Sequence, residues 1–147
     1  MKISDFVSPS DVAVDVRADT KQQLLRDLSA RVAGAAGLKA EDVAAAILKR
    51  EELGSTGIGD GVAIPHTRLK TVKRPFAAVA KLRHPIPFDA IDGRDVDIVV
   101  LLLLPDAADA DQLVALAAVA RRLKGQETLP RMRGAKTAAD LHAAMTD

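Results

Sequence analysis

The 147-residue chain contains no cysteine, no tryptophan and no tyrosine. Without cysteine there is no disulfide, no thiolate metal site and no cysteine nucleophile, which suits a reducing compartment. Aromatic residues are 2% of the chain, and Phe6, Phe76 and Phe88 are the whole set. The core must therefore come from Ala, Leu, Val and Ile, and base stacking on an aromatic platform is excluded. Neither charge sign is in excess. Lys and Arg number 21 against 20 Asp and Glu, so no phosphate-tracking basic groove and no nucleic-acid partner is expected. The longest apolar run, Ile98–Leu104, is far short of the roughly 20 residues a bilayer helix needs, and it reads as a buried strand. The opening residues MKISDFVSPSD lack the apolar stretch of a secretory signal. The expectation is a cytoplasmic protein with no membrane insertion.

What is present is ordinary for a globular chain: 48% hydrophobic and 28% charged residues, with a length that fits one domain over residues 1–147. Val12–Val16 reads as a strand. Thr20-Lys-Gln-Gln23 is a capping box, followed at helical spacing by Leu24, Leu25, Leu28 and Val32, with stops offered by Gly34 and Gly37. A second helix is expected from about Ala40 to Glu52 on an apolar face of Val43, Ile47 and Leu48. Gly54 to Gly61 places four glycines in eight positions, so the backbone there turns sharply or approaches something closely. Val62–Ile64 and Phe76–Leu82 read as strands, with a turn at Arg83-His-Pro-Ile-Pro87. Val96–Leu104 is the most apolar strand and is expected at the centre. A helix striped by Leu113, Leu116, Ala120 and Leu123 follows. Pro130 marks a break or a new first turn, and Thr137-Ala-Ala-Asp140 caps a last helix. Helices on both faces of a small mixed sheet would bury these strands: an α/β fold.

The three histidines differ in context. His142 lies among alanines in the last helix, as a surface or capping residue. His84 sits in the expected turn. His66 ends a short strand beside the glycine loop, after Pro65, which restricts the backbone. A neutral imidazole there is a nucleophile in the working pH range; the alternative is a turn histidine bonded to a backbone group. The loop fails as a Walker motif, because no lysine follows its glycines. It fails as a dinucleotide fingerprint, because a helix precedes it and a strand follows. What remains are backbone amides and the Ser55 and Thr56 hydroxyls, donors suited to an anion. Arg50, at the end of the second helix, is either a cation favoured at a helix C-terminus or a fork for a phosphoryl group; Arg68 is a second candidate. No metal-ligand spacing surrounds His66, and no nucleophile elbow is present.

The segment Arg50-Glu-Glu-Leu-Gly-Ser-Thr-Gly-Ile-Gly-Asp-Gly-Val-Ala-Ile-Pro-His66 closely resembles the signature of enzyme IIA domains of the fructose/mannitol class of the bacterial phosphoenolpyruvate phosphotransferase system, and most of all their nitrogen-type members. Phe88-Asp-Ala-Ile-Asp-Gly93 followed by Val96–Pro105 resembles the family's sheet region. The resemblance implies a three-layer α/β/α sandwich with a small mixed sheet. It implies reversible transfer of a phosphoryl group from phosphorylated HPr, or its nitrogen-branch counterpart, to His66 through Nε2, without metal or nucleotide cofactor. Arg50 maps to the phosphate-binding arginine, and Thr56 to the turn lining the site. One position departs: the family's second histidine, in an H-L-x-x-L pattern, is Gln112 in Gln112-Leu-Val-Ala-Leu116. A glutamine amide can still donate to a phosphoryl oxygen, but it carries no charge and exchanges no proton.

Two functions follow from the resemblance. One is a regulatory protein whose phosphorylation state is read by targets such as potassium transport systems or sensor kinases. The other is a relay passing phosphate to a sugar-specific IIB protein. In both, Ile58, Val62 and Ile64 are expected to form an apolar rim on which the carrier docks.

Overall fold

The computed structural model describes residues 1–106 and 110–147, with side chains for all of these except 110–112. Two single-turn 3₁₀ helices, Ile3–Asp5 and Pro9–Asp11, lead into β1 (Val12–Val16), α1 (Lys21–Ala36) and α2 (Ala40–Glu52). Strands β2 (Gly57–Gly59), β3 (Val62–Ala63), β4 (His66–Leu69), β5 (Phe76–Ile86) and β6 (Val96–Pro105) follow, and α3 (Ala110–Leu123), α4 (Thr128–Gly134) and α5 (Ala138–Thr146) complete the chain.

The helix signals act as their chemistry predicts. The Thr20 hydroxyl accepts the Gln23 amide at 3.1 Å, the N-cap half of the expected box, while the Gln23 side chain accepts from the amide of Asp19 at 3.1 Å, one residue before the cap, so the reciprocal half is displaced from Thr20. Gly37 closes α1 at φ 72°, a left-handed C-cap for which glycine carries no Cβ penalty. Gly34 stays inside the helix. Thr137 caps α5 through the Asp140 amide, and Pro130 sits in the first turn of α4, where its missing N–H costs no hydrogen bond.

The sheet is mixed, in the order β1-β5-β6-β3-β2, with β4 also on β6. β5 runs antiparallel to β6. β3 and β4 run parallel to β6, pairing at Val62↔Ile98 and His66↔Leu102. Strand alternation divides β6 between two cores. Ile98, Val100, Leu102 and Leu104 face a cluster with Val119, Leu123, Met132, Leu141 and Met145 of α3–α5. Val99, Leu101 and Leu103 face Leu24, Leu25, Leu28, Val43 and Ile47 of α1 and α2. The architecture is therefore the expected three-layer α/β/α sandwich, with β6 at its centre.

Three local readings change. The glycine segment holds a strand of its own, β2, antiparallel to β3. β5 continues through Arg83-His-Pro to Ile86, because Ile86 recovers a partner in Val96 after a register shift; His84 is thus an exposed strand residue and not a turn residue. The buried stripe of α3 is Ala115, Val119 and Leu123, whereas Leu113 is 70% exposed. A leucine at helical spacing looks the same in sequence whether the next layer reaches it or not.

Full burial of a Leu side chain is worth about 1.5–3 kcal/mol, and a cavity adds to its loss. Leu101→Ala is expected to lower the unfolding free energy by about 2–5 kcal/mol, and Leu113→Ala by less than about 0.5 kcal/mol. Urea denaturation of the two variants measures the contrast.

Candidate functional site

His66 opens β4. Its backbone position is held by Pro65, whose carbonyl accepts the Leu102 amide at 2.8 Å, so the registry of the central strand decides where the imidazole stands. The ring is half-buried. Its Nδ1 lies 2.8 Å from the Ile64 carbonyl oxygen. A carbonyl only accepts, so Nδ1 carries a proton, and in the neutral ring Nε2 keeps its lone pair. The turn-histidine reading thus holds at Nδ1, and it leaves Nε2 as the nitrogen on which the nucleophile reading depends.

A cleft of about 460 Å³ opens beside it. α2 contributes Lys49 and Arg50 to its wall, Leu53 follows from the turn, β4 contributes His66 and Arg68, and Asp106 lies beyond the end of β6. Three cations against one carboxylate make the cleft electropositive, a charge balance suited to an anion. Arg50 donates from Nη1 to the Gly54 carbonyl at 2.9 Å, which closes the C-terminus of α2 and leaves the other guanidinium donors for the cleft. The helix C-terminus reading of this arginine is therefore observed, and its place in the cleft is compatible with the other. On the other side of His66 and Arg68, a hollow of about 320 Å³ is bounded by Leu104, Leu113 and Leu116.

Thr56 stands behind the cleft and not in its wall. It is buried, and its hydroxyl donates to Glu51 Oε2 at 2.7 Å while its amide donates to Glu51 Oε1 at 2.8 Å. Ser55 likewise donates to the Phe88 carbonyl at 2.6 Å. The loop's hydroxyls are therefore engaged within the protein, and the sharp backbone path serves packing. A Cβ on Gly57 would fall 2.7 Å from that of Ala90, and Gly61, at φ 77°, lies where a Cβ would strike the Arg133 guanidinium paired with Asp97. Gln112 stands in the first turn of α3, and its side chain lies outside the described residues.

The apolar rim differs from expectation. Val62 and Ile64 are buried, at 1% and 4% exposure, because both pack beneath the sheet against the α3–α5 layer. Ile58 faces a separate hollow with Leu129 and Pro130. Leu53 and Leu113, 83% and 70% exposed, are the largely exposed leucines among the described residues that line the two hollows beside His66. Glu51 was not singled out from sequence either. Its signal was an acid in the last turn of α2, where the helix dipole disfavours one. Of the other histidines, His142 is half-buried and ties α5 to the Val7 carbonyl through Nε2 at 3.0 Å. Among the described residues, no three His, Asp or Glu side chains gather as a metal-binding group.

Residues 5–147 match the family model described as phosphoenolpyruvate-dependent sugar phosphotransferase system, EIIA 2. The chain belongs to this EIIA type-2 family. It is 38% identical over 145 residues to a nitrogen regulatory protein of Bradyrhizobium diazoefficiens, an alignment covering 99% of this chain and 95% of the relative. It is also 38% identical over 148 residues to the nitrogen regulatory protein of Escherichia coli K12, covering 100% and 91%. The crystal structure of nitrogen regulatory protein IIA-Ntr from Neisseria meningitidis superposes with a TM-score of 0.92 at 30% identity, covering 98% of this chain and 99% of that one. No helix of this IIA chain, among the described residues, is long and apolar enough to cross a membrane.

A carboxylate fastens the glycine turn of the IIA chain. Asp92 accepts the amides of Asp60 and Arg94 at 3.0 and 3.1 Å. The Asp60 bond first, then the Arg94 bond and the nearby Arg94 charge, hold its carboxyl below the ordinary value of 3.8. Because the folded value lies below the unfolded one, this contribution is complete above the unfolded value and disappears as pH falls through the folded one. Protection of the Asp60 amide, its exchange rate relative to the intrinsic rate at the same pH, is expected to fall across that acidic interval, and Asp92→Ala should show the same loss of protection at neutral pH. Hydrogen exchange followed by NMR measures both.

Proposed function

We propose that this IIA chain is a cytoplasmic, single-domain phosphoryl-accepting regulator of the nitrogen phosphotransferase branch, phosphorylated reversibly on His66 by phospho-HPr or its nitrogen-branch counterpart. The observation that carries the reading is the ring of His66: Nδ1 bonded to Ile64, Nε2 without a hydrogen-bond partner among the described residues, and Arg50 in the same cleft. The nitrogen-regulatory description shared by the full-length relatives supports the regulatory role.

The chemistry is positioning and charge. Nε2 attacks the phosphorus in line as the bond to the carrier histidine breaks, and the carrier keeps the electron pair of that bond. A loose transition state spreads charge over three phosphoryl oxygens. The guanidinium of Arg50 supplies charge-assisted donors to them. The N-terminal end of α3, whose Leu113 and Leu116 bound the adjoining hollow, adds its positive dipole end. Gln112, in that first turn, takes the place of the family's second histidine as an uncharged donor. Thr56 contributes through its bonds to Glu51 and not by direct contact. The carrier docks on Leu53 and Leu113, and transient docking needs only a small interface. Once formed, phosphohistidine adds about −1.5 to −2 charge by analogy with other phosphorylated residues, and so changes which partner, such as a potassium transporter or sensor kinase, fits this face.

Incubation with the phosphoenolpyruvate-driven upstream proteins should add one acid-labile phosphoryl group by intact mass, and none to His66→Ala. Incorporation that survives His66→Ala would remove the proposal. Arg50→Ala should slow transfer by about 10²–10³-fold, with stability changed by about 1 kcal/mol or less. Gln112→His should raise the transfer rate by restoring a group that can hold charge; an unchanged rate would place Gln112 outside the site. Onward transfer to a IIB protein and a sugar would favour the relay function instead.

A further inference from the structure

We infer that Glu51 is a positioning residue for His66, acting through Thr56 and Ile64; this rests on the reading of His66 as the phosphoryl acceptor. The side chain of Glu51 is 4% exposed and pairs with Lys21 Nζ at 2.8 Å. An ionised carboxylate so deeply buried must be fully partnered to be tolerated. Its partners are Lys21 and both donors of Thr56, the amide on Oε1 at 2.8 Å and the hydroxyl on Oε2 at 2.7 Å. Thr56 is therefore gripped from its N–H side. Its carbonyl in turn accepts the Ile64 amide at 3.0 Å, and the Ile64 carbonyl accepts Nδ1 of His66 at 2.8 Å.

The links run in one direction, from a buried charge to the imidazole. Residue 64 is fixed at both of its polar groups, one toward Thr56 and one toward the ring. Pro65 follows, restricting the path to His66 and offering no amide of its own. The carbonyl of Ile64 is what selects the Nδ1–H tautomer. Any drift of that carbonyl releases the ring to the other tautomer, in which Nε2 carries the proton and cannot attack. Glu51 also neighbours Arg50 in the last turn of α2, and its carbonyl accepts the Gly54 amide at 3.2 Å. The residue thus fastens the same turn whose Gly54 carbonyl receives the Arg50 guanidinium. Sequence neighbours divide the work: Arg50 faces the cleft, and Glu51 holds the framework behind it.

The test uses Glu51→Gln, Thr56→Val and Thr56→Ser in the full chain. Imidazole ¹⁵N spectra read the tautomer of His66, and transfer from phospho-HPr reads the rate. Glu51→Gln and Thr56→Val are expected to move the ring from one Nδ1–H pattern to a two-tautomer mixture and to slow transfer by roughly tenfold to a hundredfold. Thr56→Ser, which restores the hydroxyl, should keep the wild-type values of both. Folded Glu51→Gln or Thr56→Val protein with the wild-type tautomer pattern would overturn the inference. Should loss of the buried charge unfold Glu51→Gln, Thr56→Val decides, since it retains the Lys21–Glu51 pair. Wild-type protein that takes no phosphoryl group at His66 would instead fail the functional reading, while the spectra would still judge the coupling.

Discussion

The middle of strand β6 presents no face to water, and this constraint orders the molecule around it. From Ile98 to Leu103 every side chain is fully buried, so both faces must be covered, and the two helical layers exist because of that need. One edge of β6 is occupied by β5, and the other by β3 and then β4. His66 pairs with Leu102 along that second edge. The imidazole therefore inherits its position from the most deeply buried strand of the sheet, where a shift would expose apolar surface worth about 25 cal/mol per Å².

The site itself is built from ends of elements. Arg50 comes from the last turn of α2, His66 from the first residue of β4, and Leu113 from the first turn of α3. The termini of helices and strands carry backbone groups without partners in the element itself, and here they are satisfied by neighbouring segments. Gly54 O receives Arg50, Ile64 O receives His66, and Thr56 N is received by Glu51. The glycine turn, which suggests an anion cradle, instead closes its own polar groups and lets Gly57 approach Ala90. Its contribution is to bring α2 and β4 within reach of one cleft.

Much of the fold was legible because local chemistry and tertiary packing agree. The Thr20 and Thr137 caps, the Gly37 stop, β1 and the central apolar strand stand where hydroxyls, glycine and apolar runs place them. Helix α3 was legible only in outline. Leu113 and Ala115 are both compatible with its stripe, and the position of the sheet beneath chooses Ala115. In the site, His66 and Arg50 were legible from a spacing that the family shares. The rim was not, since Val62 and Ile64 belong to β3 and the turn after it, and apolar residues carry no mark of which side meets solvent. Glu51 was hidden because its partners, Lys21 and Thr56, are brought to it by the packing of α1 and by the turn after α2.

The residue types by themselves determine that this chain builds its core from aliphatic side chains, caps its helices with threonine and glycine, and sets an imidazole and a guanidinium sixteen positions apart around a glycine turn. Those are properties of covalent chemistry and local backbone preference, which act over a few residues. Only the tertiary structure decided which nitrogen of His66 meets the Ile64 carbonyl, that Thr56 faces a buried carboxylate and not the cleft, and that Leu53 and Leu113 flank the ring. Each of these depends on groups distant along the chain meeting at a few ångströms, where hydrogen bonding and desolvation act and local preference is silent.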